Sequence, residues 1–304
     1  MEHPVAHEIP DTQRAPGSSP SLALRPAVWL RWLAARYTLV LAALIVLAAV
    51  FAPWLAHQNP YDLAQLDILD GLLKPGSESS GGMIYWLGTD DQGRDLVSAI
   101  LYGARTSLIV GFGSASISMT FGVALGLFAA YYRGKLDALV MRLVDLTLAF
   151  PAILVALIIL GILGKGVGNV VLALVMVDWA FYARAVRSSA LVEVNKEYVM
   201  AAQCALVPAR RIIFRHVLPN CLSSLMVITT QQIARAIAIE AALSFLGLGV
   251  PITKPSLGLL IANGYAQVIS GKWWVSLFPG LALLLMIVVL NLLGEQIRKR
   301  YSAH

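Results

Sequence analysis

Charge is scarce in this sequence. Lys, Arg, Asp and Glu make up only 13% of the 304 residues, while 58% are hydrophobic. Soluble domains carry roughly a quarter charged residues, so an ordinary soluble globule is excluded and a polytopic, all-α membrane protein is expected. Cysteine is scarcer still: Cys204 and Cys221 are the only two. That excludes a disulfide framework and zinc or haem spacing, and both are read as free thiols. The glycines Gly161, Gly164, Gly166 and Gly168 lack the preceding strand and the Gly-Lys-Ser/Thr ending of a phosphate loop, so the chain holds no ATP itself. No nucleophile–base pair lies in an apolar run, which speaks against an intramembrane hydrolase and leaves no catalytic residue to name. No metal site is expected either. No internal repeat is visible, which speaks against a proton-coupled secondary transporter. The net charge of +6 falls in loops and not on one soluble face, so no nucleic-acid partner is implied.

What is present is a series of apolar runs. Residues 1–26 are rich in Pro, Ser and polar groups and read as a disordered tail, too polar for a signal peptide. Residues 27–104 read as a first membrane helix, about Tyr37 to Leu55, followed by a polar external segment. In that segment Thr89 or Asp90 is expected to cap a short interfacial helix whose Leu96, Ile100 and Leu101 face lipid. Residues 105–298 read as the core. Its spans run from about Ser107 to Tyr132, Leu139 to Leu163 with a kink at Pro151, Val170 to Ser188, Leu222 to Phe245, and Leu277 to Gly294. Ser118, Gly122 and Gly126 repeat every four residues as a close-packing stripe. A polar outer segment with Pro251, Lys254 and Pro255 leads to Trp273 and Trp274, read as an interfacial pair. Lys and Arg gather on one side of these six spans, which places both termini in the cytoplasm.

Four charges fall in or near the spans, where each is a functional candidate. Asp145 is read as pairing with Arg142 on its own helix face. Asp178 and Arg235 are read as mutual partners or as lining a solute path, and Glu240 is placed near the outer end of its helix as a further path candidate.

Between the fourth and fifth spans lies a stretch unlike the rest, about residues 189–220. It is polar, basic and amphipathic. Asn195 reads as a helix N-cap with Glu197 in the first turn. Pro208 opens a second short helix and Pro219 closes it. Ala201, Ala202 and Ala205 form a small-residue face suited to a partner's groove.

Glu197-Tyr198-Val199, Ala201-Ala202, Ile212-Ile213, Arg215-His216 and Leu218-Pro219-Asn220 resemble the cytoplasmic coupling loop of bacterial ABC importer permeases. Leu206 stands where that family usually has Gly, and Gln203 where it usually has Arg or Lys. The turn at Leu206 is therefore expected to keep negative φ. The string from Leu87 to Asp95, with Glu240 to Gly249, Phe278-Pro279-Gly280 and Asn291 to Gly294, resembles one subgroup: the second permease of dipeptide, oligopeptide and nickel importers. The resemblance implies the type I ABC importer permease fold with six spans in the bacterial inner membrane. It implies a second homologous permease, two ATPase subunits carrying ATP and Mg, and an extracytoplasmic solute-binding protein. It also implies that Glu197, Tyr198, Ala201, Ala202, Ala205, Leu206, Arg215, His216 and Pro219 couple this chain to an ATPase. The implied cargo is a di- or oligopeptide; relatives carrying nickel chelates, glutathione or opine-like solutes form the alternative.

Overall fold

The computed structural model describes residues 25–62, 66–79, 81–251 and 253–301. The expected disordered tail falls mostly on residues 1–24, outside the described residues. Its last two positions, Arg25 and Pro26, already belong to helix α1 (Arg25–Val50). A short helix α2 (Ala52–Leu55) follows. The next segment carries a two-residue-per-strand hairpin, β1 (Ser77–Glu78) and β2 (Ile84–Tyr85), antiparallel with Ser77 opposite Tyr85.

The Leu87–Asp95 string closes this segment as a buried turn. Thr89 accepts from the Leu73 amide and donates to the Asp70 carbonyl, and Asp90 holds the Arg94 guanidinium at 2.6 Å with both side chains buried. The cap of the next helix is Asp95, not Thr89 or Asp90: its carboxylate accepts from the Val97 and Ser98 amides. Among the described residues, no separate interfacial helix lies between this string and the second span. Leu96 begins α3 (Leu96–Tyr132), a 37-residue helix that runs straight into the second span, so the expected boundary at residue 104 falls inside it. Leu96 faces Trp274 and Val275 instead of lipid. Trp274 is thus buried, and only Trp273 stays half exposed.

The close-packing stripe on α3 meets α6 (Val167–Val194) in the most extensive helix contact of the molecule. A Cβ on Gly122 would run into the Trp179 carbonyl, and one on Gly126 into the Ala183 carbonyl. Between them in sequence lie α4 (Gly134–Ala149) and α5 (Ala152–Leu163). The expected single kinked span is broken here by 87°. Phe150 and Pro151 are both extended (ψ 141° and 123°). The residue before a proline is pushed out of the helical region, and two successive extended residues end a helix where one distorted residue would only bend it. Asp145 on α4 does not pair with Arg142. It meets Arg184 of α6 in an exposed pair, while Asp137 takes Arg187 in a two-pronged contact at 2.5 and 2.6 Å.

After α6 come α7 (Glu197–Cys204), α8 (Ala209–Ile212) and a π-helical turn (Ile213–Val217) that runs into α9 (Leu218–Phe245). The expected polar outer segment contains instead an apolar helix, α10 (Leu257–Val268), capped by Ser256 and folded tightly between α9 and α11 (Trp274–Tyr301). Gly258 permits this: a Cβ there would collide with Ala241 of α9. Among the described residues, α3, α6, the Ala209–Phe245 helix and α11 are long and apolar enough to cross a membrane, four spans in all, or five if the bent α4–α5 pair counts as one. The 26-residue α1 packs on α11 and α3 and carries an apolar part, Arg36–Val50.

Candidate functional site: a rigid helical hairpin outside the bundle

α6 has 28 residues, about 42 Å at roughly 1.5 Å each, against a hydrocarbon layer of about 30 Å. At least one end of it therefore extends past such a layer, and the α7–α8 hairpin follows directly on its last residues. The helix itself reaches Val194, so the loop proper starts later than residue 189. Asn195 caps the end of α6 and not the start of α7. Its amide donates to the Leu191 carbonyl, and its Oδ1 accepts from Arg133 at 2.7 Å. Arg133 lies 62 residues away in sequence, so no local pattern could show this pairing.

A polar knot ties both ends of the hairpin together. Glu193, at the buried end of α6, accepts from the Tyr198 hydroxyl at 2.5 Å and from Lys196 at 2.7 Å. Asn220, at the start of α9, donates to the Tyr198 hydroxyl at 2.9 Å and to the His216 carbonyl at 2.8 Å. Burial, and then the hydrogen bond to the Glu193 carboxylate, push the Tyr198 phenol up to about 12, so it remains a donor across the physiological range. Glu193 and Asn220 were not among the candidate residues, yet they hold the site's shape. The His216 ring lies 6.4 Å from the Tyr198 ring, centroid to centroid, and its contribution to the knot is its backbone carbonyl.

Beneath the knot, Val199, Ile212, Ile213 and Val217 are buried in one cluster with Leu127, Tyr182 and Val186 of α3 and α6. The hairpin is thus packed continuously with the bundle core. Ala202 joins this cluster from α7. The expected three-alanine docking face is therefore split: Ala201 and Ala205 are exposed, while Ala202 is half-buried against its own chain. Glu197, Met200, Gln203, Cys204 and Arg215 are exposed with them.

The turn between α7 and α8 departs from expectation. Leu206 has φ +56°, in the left-handed region. Its amide donates to the Gln203 carbonyl, and the Val207 amide donates to the Ala202 carbonyl. This pair of bonds is the Schellman helix end, whose left-handed position glycine fills without strain. A side chain there costs roughly 1–2 kcal/mol, and the two bonds impose it nonetheless. Nor does Pro219 close a helix. It sits in the first turn of α9, inside a helical run that is unbroken from Ala209 to Phe245. The π turn just before it, with the Leu218 amide donating to the Ile213 carbonyl, gives the ring room.

The charged path candidates lie in the bundle. Asp178 is almost fully buried and faces Arg235 at 3.3 Å, while the Arg235 guanidinium stacks on Phe181 at 4.2 Å and its side chain is 31% exposed. The two were read as partners or path residues; geometry makes them partners, with only Arg235 reaching a surface. Glu240 lines no open surface. It is fully buried between α3 and α9, accepting from Ser107 and Ser244 at 2.8 Å each. A carboxylate with no water around it needs such donors, and here they come from both helices. Cys204 is exposed and Cys221 buried, each a free thiol.

Residues 122–303 match the family model described as binding-protein-dependent transport system inner membrane component. The chain is 40% identical over 291 residues to the di/tripeptide transport system permease protein DppC of Pseudomonas aeruginosa, covering 93% of this chain and 94% of that protein. It is 41% identical over 261 residues to the dipeptide transport system permease protein DppC of Escherichia coli K12, covering 86% of this chain and 85% of that one. Its fold is similar to a chain of the MetNI methionine ABC transporter in an inward-facing conformation, with TM-score 0.57, 19% identity, and coverage of 67% of this chain and 97% of that chain. The chain belongs to the binding-protein-dependent transport inner membrane family, and is an ABC importer permease with the type I fold.

Proposed function

We propose that this permease carries di- or oligopeptides inward, and that the α7–α8 hairpin transmits the work of a separate ATPase to the bundle. The observation that carries this is the hairpin itself: a polar knot and an apolar cluster bind it rigidly to α3, α6 and α9 while its outer face stays open. A rigid lever is what coupling requires, because a floppy loop would absorb the motion it should pass on. The peptide cargo is supported by the names of the relatives at 40–41% identity.

In this reading the ATPase pair, which holds ATP and Mg, closes and pulls the hairpins together. The bundle, paired with a second homologous permease, turns outward to accept cargo from a binding protein. Hydrolysis then returns it inward. This chain binds no cofactor. Glu197, Ala201, Ala205, Leu206 and Arg215 form the contact face, while Tyr198, Ala202, His216 and Pro219 shape it from behind. Both termini and the hairpin lie in the cytoplasm, the side that collects Arg133, Lys196, Arg210, Arg211 and Arg215. The segment between α2 and α3 lies outside, and residues from α3 onward form the transporting core. The cargo is tested by deleting the gene in a strain that must import a labelled dipeptide. Uptake should vanish and return with the wild-type gene; uptake that persists through the deletion contradicts the peptide reading.

A further inference from the structure

We infer that Leu206 is an anchoring knob: its side chain enters an apolar pocket of the ATPase subunit, and this contact is what the strained turn is retained for. The inference rests on the coupling reading above. It starts from two facts that oppose each other within this chain. Leu206 occupies a left-handed position that glycine would hold without strain, and its side chain is 89% exposed. A strained backbone position persists where the surrounding structure over-determines it, as the two Schellman bonds do here. The Leu206 side chain itself gains no burial in return, which leaves it open to a contact outside the chain.

Its setting suits a docking anchor. The Schellman bonds on either side and the Glu193–Tyr198–Asn220 knot hold the backbone in one shape, so little freedom is lost on contact. An apolar side chain at the centre of a patch with a polar rim is the pattern of an interface anchor. Ala201 and Ala205 before it in sequence are small and exposed, and Arg210, Arg211 and Arg215 after it are exposed and positively charged. The matching surface is therefore an apolar pocket with an acidic rim. A bilayer surface is the competing occupant for a basic, apolar tip, but a surface-lying helix presents a continuous apolar stripe. The large exposed apolar groups here, Tyr198, Met200 and Phe214, are interrupted by the exposed Glu197, Gln203, Arg210, Arg211 and Arg215 and make no unbroken apolar run.

The test uses the whole permease pair in lipid nanodiscs and measures the apparent affinity of the purified ATPase subunits for it. Leu206→Met keeps both strain and side chain, Leu206→Ala keeps strain without the side chain, and Leu206→Gly removes both. Loss of a buried leucine contact should weaken binding about tenfold or more in the Ala and Gly variants, while Met stays within about threefold of wild type. The Gly variant should at the same time be as heat-resistant as wild type or more so, which separates lost docking from lost folding. Binding by Leu206→Gly that equals or exceeds wild type overturns the inference. A photo-crosslinker at position 206 should capture the ATPase; capture of lipid alone overturns it in favour of the bilayer. Wild-type permease that holds no ATPase at all overturns the coupling reading itself, and this inference with it.

Discussion

Removing a single oxygen from the polar knot should loosen the hairpin without touching its outer face. Tyr198→Phe deletes the hydroxyl that donates to Glu193 and accepts from Asn220. The bond to an ionised carboxylate is worth about 1.5–3 kcal/mol and the neutral one about 0.5–1.5 kcal/mol. Tyr198 is 40% exposed, so water replaces part of both, and a net loss of about 1–3 kcal/mol follows. The remaining Lys196–Glu193 pair contributes little, because Lys196 is half exposed. At about 1.4 kcal/mol per factor of ten, the open population of α7 should rise roughly 5- to 140-fold. Hydrogen exchange on the purified permease reads this directly. The amides donating to Ala201, Ala202 and Gln203 carbonyls should exchange faster by that factor, while those in the α3–α6 contact stay unchanged. Unchanged exchange across residues 197–207 would show that the knot does not hold the hairpin.

Three other outcomes follow from the same geometry. Gly126→Leu should drive a side chain into the Ala183 backbone and destabilise the α3–α6 pair by about 1–3 kcal/mol or more, read as lower yield of folded permease after detergent extraction. Arg235→Ala should leave Asp178 buried without its partner and cost about 3–5 kcal/mol, whereas Asp178→Asn with Arg235→Gln should restore thermal stability; a double variant no better than the single one would mean the pair is not structural. In intact cells an impermeant thiol reagent should label Ser79→Cys and leave native Cys204 unlabelled until the cells are broken, and the reverse pattern would invert the topology.

Much of this molecule is readable from residue pattern alone, and the exceptions share a cause. The α3 stripe was legible because small residues at four-residue spacing have one use on a membrane helix. The hairpin was legible because its polarity interrupts apolar runs on both sides. What escaped was set by partners distant in sequence. Asn195 has the composition of an N-cap, but Arg133 claims its side chain from another helix. Arg142 is Asp145's neighbour on the helix, but Arg184 reaches it from α6. Pro151 and Pro219 mislead in opposite directions. Beside an extended Phe150 the first ends a helix completely, and after a π turn the second is carried inside an unbroken one. Leu206 was expected to avoid positive φ on its own preference, and the hydrogen bonds of the turn overrode it. At Glu240 the charge was visible, but not the serines that enclose it, one of them, Ser107, 133 residues away.

The central claim is that this chain is driven by ATP hydrolysed on another subunit, through the hairpin. The most direct measurement places the purified permease pair and ATPases in liposomes, with the binding protein and a labelled dipeptide on one side and ATP on the other. The account predicts uptake that requires ATP, is indifferent to a collapsed proton gradient, and falls when Tyr198→Phe loosens the hairpin. Accumulation driven by a proton gradient in the absence of ATP would contradict it.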